Sequence, residues 1–166
     1  MEIPNDLYLD TNILHPWFRK IMENRRKNQQ FEMPDVIKFV SSKSELSLSV
    51  SDLTKVEIAR YLFSEWKSQE IEVDELWERF LRTFDISSII VKEMDFEDLI
   101  KVCKAVPTKK KTLVNLMHLQ IAKNDNLWFL TGEEKLKENY KEYYDKVLTF
   151  PINGGYLMER CGILLA

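Results

Sequence analysis

The chain contains little cysteine and histidine, and it has no long apolar run. Its 166 residues include only two histidines and two cysteines, Cys103 and Cys161. Two isolated cysteines are too few for a zinc knuckle or a disulfide framework, so we expect reduced thiols in a cytoplasmic protein. No apolar stretch approaches the roughly 20 residues of a membrane span. Residues 1–6 are acidic and do not resemble a secretory signal. We therefore expect no membrane partner.

The net charge of the chain is also small. It is −3 at pH 7, from 24 basic and 27 acidic residues. This balance argues against a protein that coats nucleic acid by bulk electrostatics. It is compatible with a nuclease that gathers carboxylates around a metal ion beside basic patches. Two sets of residues are either phosphate contacts or solvated faces: Arg19, Lys20, Arg25, Arg26 and Lys27 early in the chain, and Lys109, Lys110 and Lys111 later.

Strand and helix patterns alternate along the chain. Short apolar or alternating segments predict strands at residues 7–9, 46–51, 86–91, 127–131 and 147–150. Apolar residues at helical spacing predict helices at about 17–27, 36–40, 54–67, 75–83, 96–103, 112–122 and 133–143. Strands that alternate with helices favour right-handed crossovers and a parallel sheet. The predicted fold is a three-layer α/β/α sandwich with a mainly parallel sheet of about five strands. It forms one domain over residues 1–166, with a core at about 6–150 and a C-terminal extension at 151–166.

Carboxylates recur where the predicted strands end. Asp10 follows the first strand, Glu57 lies in the first turn of the helix after the second, and Glu133 follows the fourth. The carboxyl ends of parallel strands share one edge of a sheet, so these acids can converge. Converging carboxylates repel one another unless a divalent cation neutralises them. Their hard oxygen ligands suit Mg²⁺ or Mn²⁺.

Each acid also has a structural interpretation. Asp10 could cap the following helix or form an Asx turn. Glu57 could complete a capping box by reaching back to the backbone of Thr54. The same pattern recurs after the fourth strand with Glu134 in the capping position, which leaves Glu133 free to enter the crevice.

Four motifs, in this order, resemble the PIN domain. This is a family of metal-dependent ribonucleases that includes the toxins of many bacterial and archaeal toxin–antitoxin pairs. Residues 10–14, Asp-Thr-Asn-Ile-Leu, are similar to the end of the family's first strand. Glu57 matches its early helical Glu. Residues 115–122 are similar to Asp-x-x-His-Leu-x-x-Ala, and residues 129–133 to Leu-hydrophobic-Thr-x-Asp. The resemblance extends from about residue 6 to residue 150.

This resemblance implies a metal-dependent endoribonuclease in which water attacks an RNA phosphodiester bond. The catalytic and metal-binding residues would be Asp10, Glu57, Asn115 and Glu133, with one or two Mg²⁺ or Mn²⁺ ions. The candidate substrate contacts are Asn12, Thr131, Lys109, Lys110 and Lys111. Thr131 would bond a site carboxylate, cap the next helix, or do both. His118 matches a family histidine that we interpret as a helix-packing residue.

Two departures from the family pattern leave a second function open. Asn115 occupies the position of the family's third acid, and Glu133 replaces an Asp. Because Asn adds no negative charge, the site would carry three formal charges instead of four, which should weaken a second metal ion. The alternative is therefore a PIN-like binding or assembly module without catalysis.

The expected partners follow from the same resemblance. They are single-stranded or structured RNA, an antitoxin protein if the chain is a toxin, and a second copy of the chain. The apolar segment at residues 156–165 could form a homodimer contact or a final strand or loop packed on its own domain.

Overall fold

A computed structural model describes residues 4–27, 30–34, 37–38, 46–83, 89–105 and 110–150, without the side chains of 89–92 and 110–112. The strands are β1 (Asp6–Leu9), β2 (Ser47–Ser51), β3 (Ile89–Lys92), β4 (Trp128–Thr131) and β5 (Val147–Thr149). The helices are α1 (Thr11–Lys27), α2 (Asp52–Tyr61), α3 (Glu70–Thr83), α4 (Phe96–Ala105), α5 (Lys110–Asn124) and α6 (Glu134–Asn139). A π-helical turn, Leu62–Trp66, continues α2.

Some predictions lie outside the described residues. They concern the helix positions Val36, Phe39 and Val40, the predicted strand residues 86–88, and the C-terminal extension 151–166. In the part of the chain that is described, no helix is both long enough and apolar enough to cross a membrane.

The strands form a parallel sheet in the order β3-β2-β1-β4-β5. The predicted α/β class with a parallel sheet is confirmed. Leu7 of β1 lies opposite Leu48 of β2 on one side and Trp128 of β4 on the other. The chain runs from β1 outward to β3 and then returns to the other side of β1. Such a reversal separates the loops at the carboxyl edge and opens a crevice between β1 and β4.

Hydrophobic cores cover the two faces of the sheet. In β1, Leu7 and Leu9 belong to one core with α1 and α3, and Tyr8 belongs to the other core with α5. This follows from the period of two in a strand, which sends alternate side chains to opposite faces. A strand that is apolar at every position is thus buried on both sides. The arrangement is compatible with a three-layer α/β/α sandwich.

Two helices begin at least five residues earlier than the sequence pattern predicted. Helix α1 begins at Thr11 instead of residue 17, so that Pro16 lies inside it. A proline normally marks the start of a helix because it lacks a backbone N–H, which explains the wrong prediction. Ile13 and Leu14 are fully buried, and this burial offsets the cost of the proline. Helix α3 begins at Glu70 instead of residue 75.

Two positions of α3 test the packing of this helix. Leu76 is fully buried, and Ile71 on the same helix is 72% exposed. We expect Leu76→Ala to lower the free energy of unfolding by about 2–5 kcal/mol, because it leaves a cavity. Ile71→Ala should change it by less than about 0.5 kcal/mol. Urea unfolding monitored by circular dichroism measures both, and similar losses in the two variants would contradict this packing.

Candidate functional site

Asp10 lies directly after β1, beside the end of β4. Its backbone N–H donates to the carbonyl oxygen of Leu130 at 2.9 Å. Its carboxylate Oδ2 accepts hydrogen bonds from the Thr131 hydroxyl and, at 2.7 Å, from the side-chain amide of Asn12. The Asn12 Oδ1 in turn accepts the backbone N–H of Gly132 at 2.7 Å. These bonds connect the loops after β1 and β4, and they bring the predicted residues Asp10, Asn12 and Thr131 together.

Thr131 was predicted to bond a site carboxylate, to cap the next helix, or to do both. The structure shows the bond to the carboxylate and a bond to the backbone before the helix. The Thr131 hydroxyl donates to the Asp10 carboxylate, and its oxygen accepts the backbone N–H of Glu133 at 3.1 Å. The predicted capping pattern between Thr131 and Glu134 does not form, because the N-cap of α6 is Glu133 and no side chain caps it. Thr131 therefore orders the start of the loop and positions Asp10 at the same time.

The carboxyl group of Asp10 is buried, with 6% of the residue exposed. Burial raises its pKa because the charged form loses hydration. The positive charge of His118 and the hydrogen bond from Thr131 lower the pKa, but they do not outweigh burial, and the charge of Glu57 raises it further. An additional positive charge in the cleft would favour the ionised form.

Glu57, from α2, is anchored through one of its two oxygens. Its Oε2 accepts hydrogen bonds from the Thr11 hydroxyl and from Nε2 of His118, the latter at 2.7 Å. Partial burial by itself would raise the pKa of Glu57. The hydrogen bond and charge of His118 and the hydrogen bond of Thr11 outweigh burial, so the pKa is lowered. Glu57 is therefore ionised at neutral pH, with its Oε2 fixed in position.

The interpretation of Glu57 as a helix cap was wrong. The N-cap of α2 is Ser51, whose side chain accepts the backbone N–H of Thr54 at 3.2 Å. The backbone N–H of Ser51 donates to the Thr54 hydroxyl at 3.3 Å, which completes the capping box. Because Thr54 takes the role that the sequence offered to Glu57, the glutamate is released to the cleft.

A buried chain of polar groups lies behind Glu57. Nδ1 of His118 is 2.6 Å from the Tyr8 hydroxyl, which is 2.6 Å from the Ser51 hydroxyl. An ionised carboxylate only accepts hydrogen bonds, so Nε2 of His118 donates to Glu57. The second ring nitrogen and the two hydroxyls complete the chain, and either hydroxyl can be the donor in the bond between Tyr8 and Ser51. Burial raises the pKa of Tyr8 and keeps its hydroxyl protonated.

Sequence reasoning missed this function of His118, because it treated the residue as packing alone. The imidazole is fully buried and does stack on Phe129, with ring centroids 5.9 Å apart. It also positions a site carboxylate. One signal was available: Tyr8 falls in a predicted buried strand, and a buried tyrosine hydroxyl needs a hydrogen-bond partner.

Asn115 and His118 are three residues apart on α5 and therefore share one face of it. The amide of Asn115 donates to Oε2 of Glu133 at 2.9 Å. Asn115 lines the cleft with Asp10 and Glu57, whereas Glu133 is an exposed residue beside it. Helix α5 thus contacts Glu57 through His118 and Glu133 through Asn115.

The cleft at this edge is open and has a volume of roughly 390 Å³. The sequence predicted four of its lining residues, Asp10, Asn12, Glu57 and Asn115. It did not predict Thr11, His15, Arg60, Tyr61, Ser64 and Glu65. The helical spacing offered a signal, because His15 lies one turn after Thr11, and Arg60 and Tyr61 lie one turn after Glu57.

The donor chemistry of the cleft fits a hard cation. Among the described residues, Oε1 of Glu57 and Oδ1 of Asn115 have no hydrogen-bond partner. The Asp10 carboxylate accepts from Thr131 and from the side-chain amide and backbone of Asn12, and its two oxygens have further acceptor capacity. Mg²⁺ takes one or two carboxylates and keeps several waters, so such a set is sufficient for it. No three His, Cys, Asp or Glu side chains within the described ranges are grouped closely enough to hold a metal ion. Asp10, Glu57 and Glu133 therefore do not form a three-acid cluster.

The structure describes the three lysines predicted to contact phosphate only in part. Lys109 is outside the described residues. Lys110 and Lys111 begin α5, but the description does not include their side chains. Their contact with substrate stays a prediction.

No protein-family model matches the chain, and no curated protein is significantly similar to it. The side chains in the cleft are therefore the basis for the proposed function.

The first prediction for the site concerns Asp10→Asn. Asn can keep an acceptor oxygen toward Asn12 and Thr131 without a buried charge. Because burial raises the pKa of Asp10, its ionisation destabilises the fold at pH 7. We expect Asp10→Asn to raise the free energy of unfolding by about 0.5–2 kcal/mol, as is common when a functional charge is removed. Denaturant unfolding at pH 7 without divalent ions measures this, and a clear loss of stability would contradict it.

The second prediction concerns acid pH. The pKa of Glu57 is lowered in the folded state, so its contribution to stability is complete above its ordinary value of about 4.3. This contribution disappears as the pH falls through the lowered value. We expect Glu57→Gln to be less stable than the wild type at pH 7, and the difference to shrink below about pH 4.3. Urea unfolding across this range measures it, and a constant difference would refute the anchoring.

Proposed function

We propose that this chain is a PIN-like endoribonuclease that hydrolyses phosphodiester bonds of single-stranded or structured RNA with Mg²⁺ or Mn²⁺. One observation carries the proposal. Carboxylates from two separate elements, Asp10 after β1 and Glu57 on α2, line one open cleft, and neighbouring side chains donate hydrogen bonds to one oxygen of each. Carboxylates that accept hydrogen bonds from neighbouring groups are the pattern expected of orientated metal ligands.

The residues divide into ligands and supporting groups. Asp10, Glu57 and Asn115 would hold the cation, with Glu133 next to Asn115 as a further acid. Asn12 and Thr131 fix the orientation of Asp10, and Thr11 and His118 fix that of Glu57. When bound, the ion would supply a lowered pKa for a nucleophilic water and neutralise charge that develops on the phosphate.

A cleavage assay tests this function. Labelled single-stranded and hairpin RNAs would be incubated with Mn²⁺ or Mg²⁺, with and without EDTA. We expect metal-dependent cleavage and a loss in Asp10→Asn that exceeds the roughly 10- to 100-fold typical of groups that only support a ligand. Asp74→Asn is the matched control, because the Asp74 side chain is 59% exposed and its ion pair among the described residues is with Lys55 at the surface.

Folded protein that cleaves none of these RNAs would refute the nuclease. Asp10→Asn with wild-type activity would refute this cleft as its active site. Metal-induced stabilisation of the wild type, absent in Asp10→Asn, would locate the ion independently of turnover.

A PIN-like binding or assembly module is the second candidate function. Two observations favour it: the amide of Asn115 is bonded to Glu133, and no group of three acid or histidine ligands occurs in the described part of the chain. Asn115→Asp discriminates the two functions, because it adds a carboxylate to the cleft. A nuclease with a weakened site should gain Mn²⁺ affinity and activity, whereas a module should remain inactive.

Assembly is a separate proposal. A second copy of the chain could bind through residues 156–165, which lie outside the described residues. An antitoxin protein is a further proposed partner, with no segment assigned to it.

A further inference from the structure

The cleft continues beyond the carboxylates along the groove between α1 and α2. These helices meet at two successive levels. At the first level the Thr11 hydroxyl bonds to Glu57, and at the second the rings of His15 and Tyr61 are 4.2 Å apart. Each second-level residue lies four positions after its first-level neighbour, which is about 6 Å along the helix. A ligand at the acids therefore extends directly onto the ring pair.

This wall of the cleft differs in chemistry from the acidic end. His15 and Tyr61 are half-buried, and both line the open space. Burial lowers the pKa of His15 despite the charge of Glu57, so the ring is neutral at pH 7 and presents an aromatic surface. Beside the rings lies Arg60, which is exposed and has no ion-pair partner within the described ranges. It is the one lysine or arginine among the residues described as lining the cleft.

The backbone also changes here. The α-helix ends at Tyr61 and passes into the π-helical turn, two of whose residues, Ser64 and Glu65, line the cleft as well. A π-helical turn widens a helix locally and often occurs at functional sites. The turn ends at Trp66, and the residue that follows, Lys67, has a left-handed backbone with φ of 56°.

We propose that this wall is a nucleotide subsite, in which a base stacks on the His15–Tyr61 pair and Arg60 contacts a backbone phosphate. The inference rests on the proposed ribonuclease function and adds the recognition of the nucleotide beside the cleaved bond. Bases of single-stranded RNA stack on aromatic side chains without strong sequence preference, and arginine neutralises the adjoining phosphate. The subsite therefore accepts unpaired nucleotides and excludes a base held within a duplex.

Binding of a fluorescein-labelled oligouridylate tests the subsite. The anisotropy titration would be made in an Asp10→Asn background, so that cleavage does not obscure binding. We expect Tyr61→Ala to weaken binding roughly tenfold, as for the loss of one stacked base. Tyr61→Phe should bind like its parent. Phe63→Ala is the matched control, because Phe63 is an exposed aromatic two residues away that is not among the cleft-lining residues.

Two further comparisons separate stacking from charge. An oligomer of the same length without bases should bind equally to the Tyr61→Ala variant and its parent. Arg60→Gln should reduce the slope of log affinity against log salt by about one. Arg82→Gln should not, because Arg82 is an exposed residue of α3 that is not among the cleft-lining residues. Melting curves identify any variant that fails to fold.

The outcomes distinguish this subsite from the nuclease itself. If oligouridylate does not bind, or if Tyr61→Ala and Phe63→Ala have equal affinity, the subsite is refuted whether or not the wild type cleaves RNA. If binding depends on Tyr61 but the wild type cleaves no RNA, the result supports the subsite and refutes the ribonuclease function.

Discussion

Placing a negative charge in the interior at the end of β1 is the constraint on which the site depends. A carboxylate at this depth loses most of its hydration, and the fold replaces that hydration only in part. The side chains of Asn12 and Thr131 both bond to Oδ2 of Asp10, and the residue lines the cleft. An apolar residue at this position would avoid the free-energy cost of burying a carboxylate. The position of Asp10 is understandable when a cation completes its solvation.

At Glu57 the pKa is lowered, whereas at Asp10 it is raised. Thr11 and His118 supply more stabilisation than burial removes, so Glu57 is charged in the absence of any ligand. The two acids therefore divide the work of the site. In the proposed metal site, Glu57 would provide a negative charge that is present at neutral pH, and Asp10 would provide a buried one that the cation stabilises. Two carboxylates in different surroundings are a common way of giving similar groups different functions.

Much of the fold could be predicted from the sequence, because apolar runs at β1 and β4 and the periodicity of the intervening helices are local features. The placement of Asp10 followed from the rule that parallel strands end at a common edge, and Asn12 and Thr131 were expected beside it from the family resemblance. The release of Glu57 from helix capping could not be predicted, because Ser51 and Thr54 offer the same capping chemistry at overlapping spacings. His118 and Tyr8 are 110 residues apart in sequence, and only the tertiary fold shows that they meet. The ring pair of His15 and Tyr61 was missed for a similar reason, since it requires the packing of α1 on α2.

The capping residue of α2 has a second consequence. Ser51 holds the first turn of the helix, and the same hydroxyl contacts Tyr8, which contacts His118 and, through it, Glu57. The start of α2 and the acid site therefore belong to one cooperative unit of local stability. Fraying of that first turn would release the carboxylate without any change at the cleft surface. A distant mutation or a bound partner that loosens α2 would thus reduce the population of assembled sites and leave each site chemically unchanged.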